Sequence, residues 1–137
     1  MPAATPRPET SLVDSARCPC LSGQPYDECC GPLHAGDPAP TAERLMRSRY
    51  SAFVLRRASY LLSTWHASTR PATLELDDDV RWFRLDIVRT ERGGPFDRDG
   101  VVEFAAHYRS GGEAGVQHEV SRFVRVDGRW QYVAAIG

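Results

Sequence analysis

The chain has 137 residues, of which 42% are hydrophobic, and its formal net charge is −1. This length suits one ordinary domain with a single core and a small appendage, and it excludes a second large domain. The nearly neutral charge argues against charge-driven binding to nucleic acid, and no stretch approaches the ~20 apolar residues that span a bilayer. All 17 basic residues are arginines, which excludes a Schiff base on lysine.

The first segment, residues 1–16, combines several prolines with small polar residues, a composition that predicts disorder. It contains no apolar core of the kind that a secretory signal requires. We therefore expect a cytoplasmic protein.

The four cysteines of the chain lie together in one short segment, as Cys18, Cys20, Cys29 and Cys30. Thiolates are soft ligands that suit Zn²⁺, and four of them complete a tetrahedral shell with no position left for a substrate. The clustering predicts a structural zinc site rather than a catalytic one. Two alternatives remain: a pair of disulfides, which would require an oxidising compartment, and a redox or free-thiol role.

The residues around the cysteines predict how the site is enclosed. Ser22 and Gly23 favour a tight turn whose backbone amides point at sulfur, and Tyr26 is expected to cover one side. His34 could substitute for a ligand, but four cysteines already complete the shell, so we expect it to pack beside the site. Glycines and prolines in residues 31–40 predict a loop.

A helical pattern begins at Thr41, a plausible N-cap, with Glu43 suited to the positive end of the helix dipole. A second helical stretch is expected from Ala58 to His66. The apolar residues at helical spacing in the first helix are Ala42, Met46, Tyr50, Phe53 and Val54. The polar residues expected on its other side are Arg44, Arg47, Ser48 and Ser51.

After Pro71 the hydrophobic period changes towards two, which predicts strands over 82–92, 100–109, 116–126 and 129–136. Asp127-Gly128, between the last two, is a strong hairpin indicator. Helices followed by a meander of strands predict an α+β fold in which the helices pack across one face of a curved antiparallel sheet.

The cysteine segment resembles the SEC-C motif, a zinc knuckle of pattern C-x-C-x8-C-[C/H] that is also found at the C-terminus of the SecA translocation motor. The chain beyond it is similar to the bacterial YchJ family. The segments that carry this second resemblance are 31–34, 45–53, 60–61, 64–66, 69–71, 102–104 and 118–123.

The resemblance implies a SEC-C zinc knuckle at 17–36 followed by a cone at 41–137, of the cystatin-like class that includes nuclear transport factor 2-like and SnoaL-like domains. The resemblance thus implies a fold and a metal, but it does not indicate a particular activity. One position departs from the motif, since Leu21 stands where glycine usually follows the second cysteine. If that position requires a positive φ, the leucine carries strain of about 1 kcal/mol.

In relatives, the open mouth of such a cone can hold a ligand. The candidate pocket residues here are Arg49, Tyr50, Trp65, His66, Trp82, Tyr108, His118 and Trp130. Adjacent strand residues project to opposite faces, so at most one of His118 and Glu119 faces the cone. We expect Glu119 to pair with an arginine, and His66 to interact with the last carbonyls of its helix.

Two functions are compatible with these features. The first is an adaptor that presents the zinc knuckle to a protein partner, and the alternative is a small-molecule binding module or enzyme that uses the cone. Nucleic-acid binding is disfavoured because the knuckle carries Asp27 and Glu28 without interleaved basic and aromatic residues. No nucleophile-base arrangement is recognisable, so no catalytic residue is assigned. Monomer and homodimer are both compatible with the sequence.

Overall fold

The computed structural model describes residues 16–137. Within this range the helices are α1 (Cys30–His34), α2 (Ala42–Val54) and α3 (Ala58–Ser63), and a 3-10 turn at Tyr26–Glu28 precedes them. The strands are β1 (Val80–Arg92), β2 (Asp99–Ser110), β3 (Glu113–Val126) and β4 (Arg129–Ala135). They form one antiparallel sheet in the order β1-β2-β3-β4. The predicted α+β fold, with helices before a meander of strands, is confirmed.

The start of α2 matches the sequence prediction, since the Thr41 hydroxyl accepts the backbone N–H of Arg44 at 3.1 Å. The second helix is shorter than predicted and ends at Ser63 instead of His66. The chain there leaves the helix to pair with β4: the N–H of Tyr132 donates to the carbonyl of Thr64 at 2.8 Å. Backbone hydrogen bonds to a distant strand therefore decide where α3 ends.

Helix α1 lies in the segment that we predicted to be a loop. Pro32 is compatible with it because a proline in the first turn lacks only an N–H that has no acceptor within the helix. Gly31 is needed for a different reason: a Cβ there would lie 2.8 Å from the carbonyl oxygen of Tyr26. The prediction failed because it counted both residues as helix breakers without considering their position in the turn.

The sheet is irregular in its first strand and tightly closed at its last hairpin. The β1–β2 register shifts between Trp82 and Arg84 and again between Ile87 and Arg89, and such bulges bend a sheet. The predicted hairpin at Asp127-Gly128 is present, with φ of 52° and 78°. Positive φ at both central residues is the geometry of the two-residue turn that the Asp-Gly pair favours.

One hydrophobic core joins the cysteine segment to the cone. Helix α2 contacts β1, β2 and β4, and alternate residues of β2 are buried beneath it. The same continuous cluster contains all four cysteines together with Tyr50, Val102, Phe104, Phe123 and Trp130. The knuckle is therefore packed into the domain rather than attached to it by a free linker.

Two sequence predictions concern the ends and surface of the chain. We predicted disorder for residues 1–16. Residues 1–15 lie outside the described residues, and the carbonyl of Ala16 accepts the backbone N–H of Tyr26 at 2.9 Å. Among residues 16–137, no helix has both the length and the apolar character to cross a membrane.

Candidate metal centre and cone cavity

The four cysteine side chains converge on one point. Their Sγ atoms all lie within 4.8 Å of one another, and all four residues are buried. Four sulfurs at ~2.3 Å from a central zinc ion would be separated by about 3.8 Å, so the observed cluster matches a tetrahedral shell. The sulfurs of Cys20 and Cys29 are 3.6 Å apart, those of Cys29 and Cys30 are 4.0 Å apart, and all four are free cysteines.

A strained turn brings the first two cysteines together. The N–H of Leu21 donates to the carbonyl of Cys18 at 3.0 Å, and Leu21 has a φ of 65°. The departure from the usual glycine therefore places a leucine in left-handed backbone, which costs about 1 kcal/mol or more. Leu21 is 54% exposed, so its side chain gains little burial in exchange.

Two serine hydroxyls contact the sulfurs. Ser22 Oγ lies 3.1 Å from Cys29 Sγ, so a side-chain hydroxyl of the predicted turn contacts a sulfur. Ser51 Oγ donates to Cys30 Sγ at 3.3 Å and also lies 3.5 Å from Cys18 Sγ. Hydroxyl donors stabilise thiolate charge, so these residues suit a bound metal.

Two arginines of α2 bind the backbone of the knuckle. Arg47 donates to the carbonyl of Cys20 at 2.9 Å, and Arg44 donates to that of Cys29 at 3.3 Å. The helical spacing predicts both arginines on the polar side of the helix with Ser48 and Ser51, but both serines are fully buried. The side of α2 that carries them faces the knuckle instead of solvent.

The crowded sulfurs affect one another's ionisation. Hydrogen bonding with Cys18 raises the pKa of Cys20 to about 11, and contacts with Cys18 and Cys20 raise the pKa of Cys30. Hydrogen bonds from the same two neighbours lower the pKa of Cys18. Ionisation of one thiol thus opposes ionisation of its neighbours, and a bound cation would offset that repulsion.

His34 lies beside the cluster and not in it. Its Nε2 lies 2.8 Å from the carbonyl oxygen of Ser48, which can only accept, so Nε2 carries the hydrogen. Its Nδ1 lies 2.6 Å from the Tyr26 hydroxyl, which donates to it. Burial lowers the pKa of His34 and favours this neutral form. With both ring nitrogens occupied, His34 connects Tyr26 to α2.

A second feature of the molecule is a cavity of about 190 Å³ between α2 and the inner face of the sheet. Four of the predicted pocket residues line it, namely Arg49, Tyr50, Trp65 and Trp82. The remaining lining residues are Met46, Phe53, Phe104, Ala106, Gln117, Glu119 and Tyr132.

Arg49 is the buried cation of this cavity, with only 4% of its surface exposed. Its Nη1 donates to the carbonyl of Leu61 at 2.8 Å and to Thr64 Oγ1 at 2.7 Å. The guanidinium carbon lies 4.6 Å from the ring centroid of Tyr132 and 5.2 Å from that of Trp65. Burial lowers the pKa of Arg49 to about 10, so the group is still charged at neutral pH.

Glu119 lies in the same lining and interacts electrostatically with Arg49, as expected of a carboxylate paired with an arginine, but within residues 16–137 no direct salt bridge joins it to one. Its Oε2 accepts the Tyr132 hydroxyl at 3.1 Å and the Ser121 hydroxyl, and its Oε1 accepts the Gln117 amide at 3.1 Å. Because adjacent strand residues project to opposite faces, only one of His118 and Glu119 can face the cone, and it is Glu119.

The other predicted pocket residues lie elsewhere. His118 is on the outer face of the sheet, where its Nε2 contacts Glu103 at 2.6 Å. Tyr108 packs edge-on against Trp82 with ring centroids 5.2 Å apart, but it does not line the cavity. His66 binds the Ser68 hydroxyl at 2.7 Å and not the last helix carbonyls. Trp130 is buried in the core and borders a separate groove beside α3.

Comparison with known families identifies both halves of this arrangement. The model described as "YchJ, middle NTF2-like domain" matches residues 41–135, and that of the SEC-C motif matches residues 15–32. A "UPF0225 protein" of Chromobacterium violaceum is 52% identical over 126 residues, which are 88% of this chain and 93% of the relative. Another, from Corynebacterium efficiens, is 54% identical over 117 residues, covering 85% and 89%.

Two solved structures share the fold. The solution structure of a SEC-C motif containing protein from Rhodopseudomonas palustris has a TM-score of 0.76 and 33% identity, with 86% of this chain and 95% of that chain covered. The crystal structure of a SEC-C motif containing protein from Psychrobacter arcticus has a TM-score of 0.74 and 28% identity, with 90% and 83% covered.

Proposed function

The chain belongs to the YchJ family, in which a SEC-C motif precedes a nuclear transport factor 2-like domain, and on that premise we propose a zinc-binding protein whose cone binds a small molecule. One observation carries this proposal: α2 serves both sites. Ser51 contacts the sulfur cluster, while Arg49 and Tyr50 of the same helix line the cavity. The metal site therefore fixes the helix that shapes the cavity.

In this proposal, zinc is held by Cys18, Cys20, Cys29 and Cys30. The ion would keep the four sulfurs ionised and contribute its binding energy to folding, without an open position for catalysis. Residues 17–36 form the knuckle and residues 41–137 the binding domain. The proposal includes a reducing compartment, the cytoplasm, because it favours thiolates over the disulfides that would compete with the ion.

Native mass spectrometry of the protein purified without chelator tests the metal. One zinc ion per chain supports the proposal, provided that the zinc is lost when Cys29 and Cys30 are both replaced by serine. A metal-free mass that is lower by four hydrogens would indicate two disulfides and would contradict both the metal and the compartment.

The binding function can be tested through the three tryptophans. Trp65 and Trp82 line the cavity, whereas Trp130 does not. Adding fragments of different charge and polarity to ¹⁵N-labelled protein should shift the indole N–H signals of Trp65 and Trp82 while that of Trp130 stays unchanged. If no fragment shifts the two cavity signals, the cone is not a binding site and the proposal fails.

A second candidate function, the protein-interaction adaptor, is favoured by the exposed tip of the knuckle. Leu21 is an apolar residue that is more than half exposed, and exposed residues 22–24 follow it. Exposed Asp27 and Glu28 nearby would suit a partner with basic and apolar side chains. Their negative charge continues to disfavour nucleic acid.

The adaptor hypothesis predicts that at least one cellular protein captured by the wild-type protein is captured less by the Leu21→Ser variant. The zinc content of the two forms should be equal. Wild-type protein and the variant would be compared in quantitative affinity capture, with zinc measured in both. Equal capture of every protein by the two forms would contradict this role.

A further inference from the structure

The guanidinium of Arg49 has donors that the protein leaves unused. Arginine carries five N–H groups, and the two on Nη1 are matched by the acceptors of Leu61 and Thr64. Among residues 16–137, no acceptor or carboxylate pairs with Nε or Nη2. Within the described range, the fully enclosed side-chain nitrogen and oxygen atoms without a hydrogen-bond partner are Tyr50 Oη and Trp130 Nε1. Nε and Nη2 of Arg49 are not among them, so neither is completely enclosed by protein. These donors belong to the small part of Arg49 that remains accessible.

We propose, as a refinement that rests on the cone being a binding site, that the cavity takes a compact monocarboxylic acid with a flat apolar body, held by the Nε–Nη2 edge of Arg49. That edge presents two parallel N–H groups, which match the two oxygens of a carboxylate. The hydrogen bonds of Nη1 and the rings of Trp65 and Tyr132 fix the guanidinium in place.

The charges of the lining favour one negative charge over two. Arg49 and Glu119 are the charged residues of the lining, so a dianion such as a phosphate monoester would face one cation and one anion. Glu119 is already satisfied by Tyr132, Ser121 and Gln117, whereas Arg49 is not. What the cavity lacks is therefore an acceptor for the Nε and Nη2 donors of Arg49, and a single carboxylate would supply it.

The walls define the rest of the ligand. Tyr50, Phe53, Trp65, Trp82 and Phe104 contribute aromatic surface, which stacks well on a flat apolar group. The volume of about 190 Å³ lies below the ~300–1,000 Å³ of drug-sized sites. The body of the ligand is thus about the size of a single ring.

Benzoate, with benzamide as a neutral analogue of the same shape, tests this inference on zinc-loaded full-length protein. We expect benzoate to shift the Trp65 and Trp82 indole signals saturably and benzamide to bind at least about tenfold more weakly, because it lacks the charge-assisted pair. The Trp130 signal serves as the internal reference.

Two variants separate the contributions of the charges. Arg49→Lys keeps the positive charge but loses the paired donors, and it should weaken benzoate binding. Glu119→Gln removes the opposing negative charge and should tighten it. The comparison of benzoate with benzamide on wild-type protein decides the proposal even if Arg49→Lys does not fold.

The outcomes distinguish this inference from the broader one. Equal or tighter binding of benzamide, or no binding of benzoate where neutral fragments do bind, would overturn the carboxylate assignment and leave the binding module intact. Failure of every fragment to shift Trp65 and Trp82 would overturn both.

Discussion

Ser51 of α2 donates a hydrogen bond to Cys30 in the knuckle, with 3.3 Å between Oγ and Sγ. The two residues are 21 positions apart, and both are completely enclosed by protein. This contact connects the sulfur cluster to the helix whose other side lines the cone cavity.

Replacing Ser51 with alanine should weaken zinc binding. Loss of a hydrogen bond to a metal ligand typically lowers metal affinity by about 10–100-fold. Competition with a chromophoric chelator measures the change, and Ser59→Ala, an exposed serine of α3, is the matched control. Equal zinc affinity in Ser51→Ala and wild type would show that the hydroxyl only fills space.

Removal of zinc should loosen α2 as well as the knuckle. Without the ion, the crowded thiolates repel or take up protons, and the carbonyl contacts of Arg44 and Arg47 lose their rigid partner. Hydrogen exchange after chelation should therefore accelerate over residues 18–34 and 42–54, and less in β2 and β3. Faster exchange confined to 18–34 would mean that the metal does not support the cone.

Leu21→Gly should stabilise the zinc-bound protein. Glycine adopts the observed φ of 65° without the strain that leucine carries, although it loses more backbone entropy on folding. We expect a net gain of up to about 1 kcal/mol in the free energy of unfolding, measured in urea. Leu74→Gly is a suitable control, because Leu74 is a partly buried loop leucine without a positive φ. A less stable Leu21→Gly protein would contradict the strain argument.

Tyr50→Phe should not destabilise the protein at pH 7, and its relative stability should rise in alkali. The Tyr50 hydroxyl is enclosed without a hydrogen-bond partner, and burial raises its pKa from 10.0 to about 12. Between these values the unfolded chain loses the proton while the folded chain keeps it. The free energy of unfolding of the wild-type protein is therefore unaffected by Tyr50 ionisation below pH 10, and it falls as the pH rises towards 12. The phenylalanine variant has no such loss.

Tyr132→Phe provides the contrast. Burial also raises the pKa of Tyr132 to about 12, but its hydroxyl donates to Glu119. Its removal should cost stability at pH 7, by about 1 kcal/mol for a hydrogen bond and more if Glu119 is left unsatisfied. Urea unfolding of the three proteins at pH 7 and above pH 10 measures both effects. Equal losses for the two variants at pH 7 would contradict the difference between the hydroxyls.

Long-range packing explains where the sequence predictions failed. The spacing of α2 correctly placed its apolar face and its cap at Thr41, but Ser48 and Ser51 were assigned to the polar side. A small hydroxyl can face solvent or accept close packing, and only the docked knuckle distinguishes the two cases. The choice between His118 and Glu119 likewise depended on which face of β3 meets the helices, because strand period alone does not identify the inner face.

Local chemistry decided what the sequence could determine by itself. The four cysteines, the left-handed strain at Leu21 and the Asp127-Gly128 turn each depend on residues close together in the chain, so their geometry is specified by short-range sequence. Tertiary structure alone decided that Ser51 meets Cys30, that Arg49 is buried with unused donors, and that Glu119 shares its cavity. These relationships join segments that are far apart in sequence, and they exist only once α2 is packed between the knuckle and the sheet.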